Sequence, residues 1–378
     1  MEEIYLDNSA TTKVYPEAAE KAFQMMTRYY GNPSSLHSKG LEAEHQLTAA
    51  RKIIASSMNA LPEEIYFTSG GTEGNNTAVF GAVNALKKRG NRIVTTAIEH
   101  SSVMEAMQKL EKDGFEVIYL SPDINGKIRI DDVRSAVTKD TILVSIMAVN
   151  NELGSIQPIE KVHRIIENAK SPALFHVDAV QAFMKMPLVP KKYGIDLMTV
   201  SGHKIHAPKG VGALYIRKGV RILPLHSGGL QEKGIRPGTE PVPAACAMGV
   251  AVDMLSADHE RHDIILSLNS YCREKLSEIS EVVFNSDNDA LPYIINISIP
   301  GFRSETLLHY LAGKNIFVSS GSACAKGHKS HVLASVGLDG DRIDSALRIS
   351  FSEDITKENI DYLILCLKNA VSSLARSK

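Results

Sequence analysis

Lys204 stands in the stretch SGHKIHAPKGVG (201–212), just beyond the apolar run DLMTVS (196–201), with His203 and His206 beside it. Lysine is among the costliest residues to hold near a core. A partly desolvated amine gives up its proton more readily and becomes a nucleophile. Other reactive residues occupy matching places, each just past an apolar run. ALFHVD (173–178) closes on Asp178, with Gln181 three residues on. An acid there needs a positive partner, or it caps the next helix. His176 shares its strand face, but no third ligand is evident and no metal is expected. RIVTTA (92–97) leads to Glu99, His100 and Ser101. A histidine so placed could stack on a flat ring or move protons; it also reads as a loop histidine. EIYFT (64–68) leads to SGGTEGNN (69–76), where two glycines allow close backbone approach and Thr72 opens a helix. That helix start suits a phosphate, although an ordinary N-cap has the same look. It matches neither the Walker nor the dinucleotide pattern.

These groups meet only if the apolar runs are strands of one sheet. From about residue 62 the chain alternates short apolar runs with helical patterns, adding EVIYL (116–120), TILVSIMAV (141–149) and GALYIR (212–217) to those above. That alternation predicts an α/β fold with a mostly parallel sheet flanked by helices. Ligands in such folds bind beyond the carboxyl ends of the strands, where all four sites would gather. A helical pattern follows Pro16, and a single long one is expected over 242–276. Beyond Glu240, alternating strands and helices predict a smaller α+β domain. The expected division is an N-terminal segment 1–15, a large α/β domain 16–240 and a small domain 241–378.

Composition limits the partners. A formal net charge of -1 marks neither a nucleic-acid surface nor an acidic tail, so no direct nucleic-acid binding is expected. No apolar run has the length of a membrane span, and the opening MEEIYLDNSATT has no secretory character. Cys246, Cys272, Cys324 and Cys366 are widely spaced, which suits reduced thiols in a cytoplasm. Three of them lie on helical patterns and read as buried packing residues. Cys324 lies in SSGSACAKGHKSH (319–331), whose small residues predict an exposed loop. There it is either an incidental small residue or a nucleophile whose thiolate Lys326, His328 and Lys329 would favour.

A lysine, an acid and a phosphate cradle together suit pyridoxal 5'-phosphate. The lysine would hold the aldehyde and the acid would face the protonated ring nitrogen. At this point the chain resembles the cysteine desulfurases of the NifS/IscS type, class V aminotransferases among the fold-type I pyridoxal-phosphate enzymes. The resemblance rests on YLDNSATT (5–12), YGNPSSLH (30–37), FTSGGTEGNN (67–76), VNNELG (149–154), HVDAVQ (176–181), SGHKIHAPKGVGALY (201–215), GGLQEKGIRPGTE (228–240), SSGSAC (319–324) and LRISF (347–351), in that order.

The resemblance implies that Lys204 holds the cofactor, Asp178 pairs with the ring nitrogen and Gln181 bonds the ring oxygen. His100 would stack on the ring and help with proton transfer. Gly71, Thr72, Ser201 and His203 would surround the phosphate, and Thr239 would reach the phosphate of a neighbouring subunit in a homodimer. Asn151 would lie near cofactor and substrate. Arg348, with Asn32, would grip the substrate carboxylate, a task that suits its planar fork. Cys324 would take sulfur from L-cysteine as a persulfide, leaving L-alanine. An iron–sulfur scaffold or a tRNA-thiolating enzyme would then accept it. The alternative is a selenocysteine lyase or another class V aminotransferase. Ser9, Ala207, Pro237 and the Ala325-Lys326 pair depart from the common residues of the family without removing a group the chemistry needs.

Overall fold

The structure, a computed structural model, describes residues 3–320 and 330–376. Its strands are β1 (Ile4–Tyr5), β2 (Ile65–Thr68), β3 (Arg92–Thr96), β4 (Glu116–Leu120), β5 (Thr141–Ser145), β6 (Leu174–Asp178), β7 (Leu197–Ser201), β8 (Gly212–Ile216), β9 (Val283–Phe284), β10 (Ile294–Ser298), β11 (Ile316–Phe317) and β12 (Ala346–Ser350). Strands β2 to β8 fall within the apolar runs. The main sheet has the order β2-β8-β7-β6-β5-β3-β4. Its pairs are parallel except those of β8, which runs against both β2 and β7. The cause is the connection. Residues 202–211 are too few for a crossover helix, so the chain turns back beside β7. Strands β5, β7 and β8 are buried along their whole length, as a sheet covered on both faces requires.

The first four helices are α1 (Pro16–Thr27), α2 (Ser38–Ser57), α3 (Gly71–Leu86) and α4 (Ser101–Lys112). Helix α2 has no counterpart in the sequence reading, because small residues such as Gly40, Ala43, Ala50 and Ala55 supply much of its buried face. They leave no broad apolar stripe. Both α1 and α2 pack against the helix Val242–Ala257. A Cβ at Gly249 of that helix would lie 2.9 Å from the Cβ of Ala50, so the backbones approach closely. The long helix expected over 242–276 is two helices, Val242–Ala257 and Arg261–Leu276. Asp258 ends the first, and its side chain accepts the backbone N–H of Arg261 at 3.0 Å, opening the second.

Two smaller sheets complete the fold. Strands β12, β10 and β9 pair antiparallel in that order. Strand β1 pairs in parallel with β11, and Asp7 bridges to Ser350 at the end of β12. The N-terminal residues are thereby carried between the C-terminal strands and the edge of the main sheet.

Two glycines fix how α3 meets that edge. Gly70 has φ 149°, a conformation only glycine adopts readily, and it turns the chain from β2 into α3. Gly74 brings the helix down onto β7, where an added Cβ would lie 2.6 Å from Thr199 Cγ2. Gly74→Ala is therefore expected to push α3 off β7 and to cost about 1–3 kcal/mol. Urea denaturation of the purified variant checks this, and an unchanged midpoint would count against the close approach.

Candidate active site

The carboxyl ends of the sheet strands open into a cavity of about 230 Å³. Gly71, Thr72, His100, Asn151, Asp178, Gln181, Ser201, His203, Lys204 and Arg348 all line it. Asn32 and Thr239 do not; both are exposed, and the Asn32 side chain accepts the N–H of Ser34 at 2.9 Å. Cys324 lies outside the described residues, as do Lys326, His328 and Lys329.

Lys204 follows β7 in a short 3-10 turn, Gly202–Lys204. Its Nζ donates to the carbonyls of Ser9 and Ala10, each at 2.7 Å. Gln181 Nε2 donates to the same Ser9 carbonyl at 3.0 Å, while its Oε1 accepts from Lys185 Nζ at 3.2 Å. Ser9 thus serves through its backbone carbonyl. Burial and the nearby charge of Lys204 push Lys185 down to about 7.

Asp178 ends β6 and is 5% exposed. Its Oδ1 accepts the N–H of Val180 at 3.0 Å and its Oδ2 accepts from Asn75 Nδ2 at 2.7 Å. Asn75 Nδ2 also reaches Ser102 Oγ at 2.9 Å, and that hydroxyl lies 2.9 Å from His100 Nδ1. His100 caps α4, its Nδ1 accepting the N–H of Ser102 at 3.2 Å. Burial holds the His100 ring below its usual pKa, with Lys204 and His331 adding to the effect and Asp178 opposing it. Burial, with Lys204 next, lowers His203 to about 4. The sequence reading missed Asn75 and Ser102. Both lie inside or beside quoted motifs, but nothing in their spacing shows that they bridge two strand ends.

At the other end of the cavity, Gly71 and Thr72 open α3 and present its free N–H groups. Ser201 Oγ is buried beside them with no partner among the described residues. Glu73 turns away, accepting the N–H of Ser69 at 2.9 Å and Arg236 Nε at 2.9 Å. An orphaned hydroxyl beside a helix N-terminus suits a phosphate. A buried carboxylate and an amine in the same cavity suit a cationic ring and an aldehyde. The residues present therefore fit pyridoxal phosphate.

Arg348, on β12, is 1% exposed. Its Nη1 donates to the Asn151 carbonyl at 2.9 Å and its Nη2 to Asp7 Oδ1 at 2.8 Å. Nε has no partner among the described residues. Asp7 is a second residue that the sequence reading quoted in a motif without giving it a task. Described residues on both sides of Cys324 adjoin this wall. Ser319 exchanges backbone hydrogen bonds with Arg348 at 3.1 and 2.7 Å. Ser330 Oγ donates to Glu152 Oε2 at 2.6 Å, and His331 Nε2 lies 3.0 Å from the Glu99 carbonyl.

The cysteines among the described residues are structural. Cys246, Cys272 and Cys366 are buried on helices, and burial raises the first two to about 11 and about 12. His176 lies deep beneath Asp178, between Ser145 Oγ at 2.8 Å and Thr199 Oγ1 at 3.2 Å. Among the described residues, no group of three or more His, Cys, Asp and Glu could hold a metal ion. None of their helices is long and apolar enough to cross a membrane.

The family model for aminotransferase class-V matches residues 4–363. The cysteine desulfurase IscS of Methanosarcina thermophila is 40% identical over 375 residues, covering 98% of this chain and 92% of that protein. Among solved structures, a NifS-like protein superposes with a TM-score of 0.92 at 38% identity, covering 99% of this chain and 100% of its own. SspA in complex with cysteine superposes with a TM-score of 0.83 at 32% identity, covering 93% and 99%.

His176 gives a testable pH dependence. Burial lowers it to about 3, far below the ordinary histidine value. Because the native pKa is depressed, the unfolded chain binds the extra proton first as pH falls below about 6.5. Stability is thus retained at neutral pH and lost on acidification toward pH 3. His176→Asn should remove about 2 kcal/mol of the stability difference between pH 7 and pH 5. Urea midpoints of both proteins at the two pH values test it. An equal pH slope in both would show that His176 is not held neutral.

Proposed function

The chain belongs to the aminotransferase class-V family and is a cysteine desulfurase dependent on pyridoxal phosphate; from that premise we propose which residues carry the reaction and where the sulfur goes. The observation that carries the assignment is one cavity lined by Lys204, Asp178 and Arg348 together. Lys204 would hold the cofactor, Asp178 would face its ring nitrogen, Gln181 its ring oxygen, and His100 its face. Gly71, Thr72, Ser201 and His203 would hold the phosphate, with Asn151 nearby. When bound, the cofactor supplies an electron sink for the pair left at the substrate Cα.

The side chains do the rest. Arg348 grips the carboxylate of L-cysteine, its guanidinium fixed by Asp7 and the Asn151 carbonyl. Lys204 Nζ takes the Cα proton once its amine is free, and Asp178 keeps a proton on the ring nitrogen. The Cys324 thiolate attacks the substrate sulfur. The new S–S bond forms as the Cβ–S bond breaks, and the electron pair stays with the substrate carbon, which takes up protons to leave as L-alanine. Cys324 then carries a persulfide whose outer sulfur passes to an acceptor protein of the cytoplasm, an iron–sulfur scaffold or a tRNA-thiolating enzyme.

A homodimer completes this reading. Tyr30, Leu36 and Leu230 are 67%, 105% and 87% exposed, and Phe23, Met26, Leu41, Leu223 and Leu225 are exposed with them. Such an apolar set needs a cover. Asn32 and Thr239 lie in the same two stretches and outside their own cavity. This supports Thr239 reaching the phosphate of the neighbouring subunit and Asn32 assisting at the substrate carboxylate.

Two experiments test the assignment. Cys324→Ala should keep the cofactor's absorbance and form neither persulfide nor alanine from cysteine; sulfide release at the native rate would sink the nucleophile. Lys204→Ala should leave no cofactor covalently attached after borohydride reduction, and attachment surviving that change would refute the anchor. For the dimer, Leu36→Asp with Leu230→Asp should sediment as a monomer of lowered cofactor affinity. A monomeric native protein would remove the shared-site reading.

A further inference from the structure

We infer that Asn75 is a positioning residue which, through Ser102, holds the neutral His100 ring as its Nε2–H tautomer and so ties Asp178, the partner proposed for the ring nitrogen, to His100, the residue proposed for the ring face. The inference rests on the pyridoxal-phosphate reading of this cavity and goes beyond the roles given to Asp178 and His100.

A count of protons leads there. Asn75 is 1% exposed, and its Nδ2 lies 2.7 Å from Asp178 Oδ2 and 2.9 Å from Ser102 Oγ. An ionised carboxylate only accepts, so the Asn75 amide must turn its NH₂ toward Asp178. The opposite orientation would face one acceptor oxygen with another. The amide's two hydrogens are then used, one on Asp178 and one on Ser102. The cost is visible, since Asn75 Oδ1 is buried without a partner among the described residues.

Ser102 Oγ therefore accepts from Asn75, and its single proton is directed at His100 Nδ1, 2.9 Å away. The backbone N–H of Ser102 points at the same nitrogen at 3.2 Å. Two donors on Nδ1 leave no room for a proton there. The neutral ring must carry its proton on Nε2. His100 in that form donates a hydrogen bond from Nε2 rather than accepting one. An imidazolium would place a hydrogen on Nδ1 against both donors.

Selective ¹⁵N-histidine labelling of the holoenzyme tests the tautomer directly, with the His100 signal identified by its loss in His100→Gln. The expected result at pH 8 is an unprotonated Nδ1 and a protonated Nε2; an Nδ1–H ring overturns the inference. Asn75→Ala should lower kcat by about tenfold to a hundredfold with little change in KM, because it loosens placement and not substrate binding. Unchanged kcat in that variant also overturns the positioning role. If Asn75→Ala does not fold, the tautomer of the native protein still decides. The two readings fail separately. An Nε2–H ring in a protein that makes no alanine from cysteine leaves the tautomer standing and sinks the desulfurase, whereas an Nδ1–H ring in an active desulfurase does the reverse.

Discussion

A carboxylate at the end of an apolar strand is the constraint around which this site is built. Asp178 closes β6, whose preceding residues are almost wholly buried. Leaving such a charge without partners would cost several kcal/mol. Two donors answer it at once, the N–H of Val180 and the amide of Asn75, and both belong to elements that must then sit at this strand end. Helix α3 is brought there by Gly70 and Gly74, and its N-terminus arrives at the phosphate end of the same cavity. One requirement, satisfying Asp178, thereby fixes the distance between the phosphate cradle and the acid.

The charges around the cavity are graded by burial. Burial raises Glu99 to about 8, so at neutral pH its carboxyl is largely protonated, although Thr96 and Met147 donate to Oε1. Burial likewise raises Glu152, beside Arg348 and His331. His203 and His176 are held neutral. The charged groups at the cavity, Lys204, Asp178 and Arg348 with its partner Asp7, have fixed hydrogen-bond partners. A site in which only the needed groups ionise costs less than one in which every polar group does.

Much of this was legible in the residues. The strands of the main sheet follow their apolar runs closely, because buried strands in a covered sheet have no other composition available. Lys204, Asp178, Gln181, His100, Gly71 and Thr72 were also readable, since strand ends in an open sheet must converge, whereas Asn151, Ser201, His203 and Arg348 came only from the resemblance. What the residues concealed has a common cause. Asn75, Ser102 and Asp7 act across long sequence separations, and polar residues that satisfy other polar residues carry no local signature. Helix α2 was hidden by its alanines and glycine. The break at Asp258 was hidden because helical periodicity continues on both sides of it. The direction of β8 depended on counting the short connection before it and not on the strand itself.

The N-terminal segment explains why chain ends distant in sequence had to be folded before any chemistry was possible. Residues 4–12 touch both Lys204 and Arg348. The carbonyls of Ser9 and Ala10 receive Lys204, Asp7 receives Arg348, and Thr12 holds the turn after Lys204 through the His203 carbonyl and the His206 N–H. Most of these contacts use backbone atoms or a hydroxyl, so side-chain identity is free to vary at Ser9 and Ala10. Asp7 is different. Without its carboxylate, the buried Arg348 side chain would keep only the Asn151 carbonyl among the described residues, and an uncompensated guanidinium would seek solvent. The same carboxylate holds one edge of the fork, so the plane of the guanidinium is already set. Pairing with Ser350 and β11 fixes that segment against the C-terminal strands, which is why the two halves of the chain must close on each other for Lys204 and Arg348 to face one ligand.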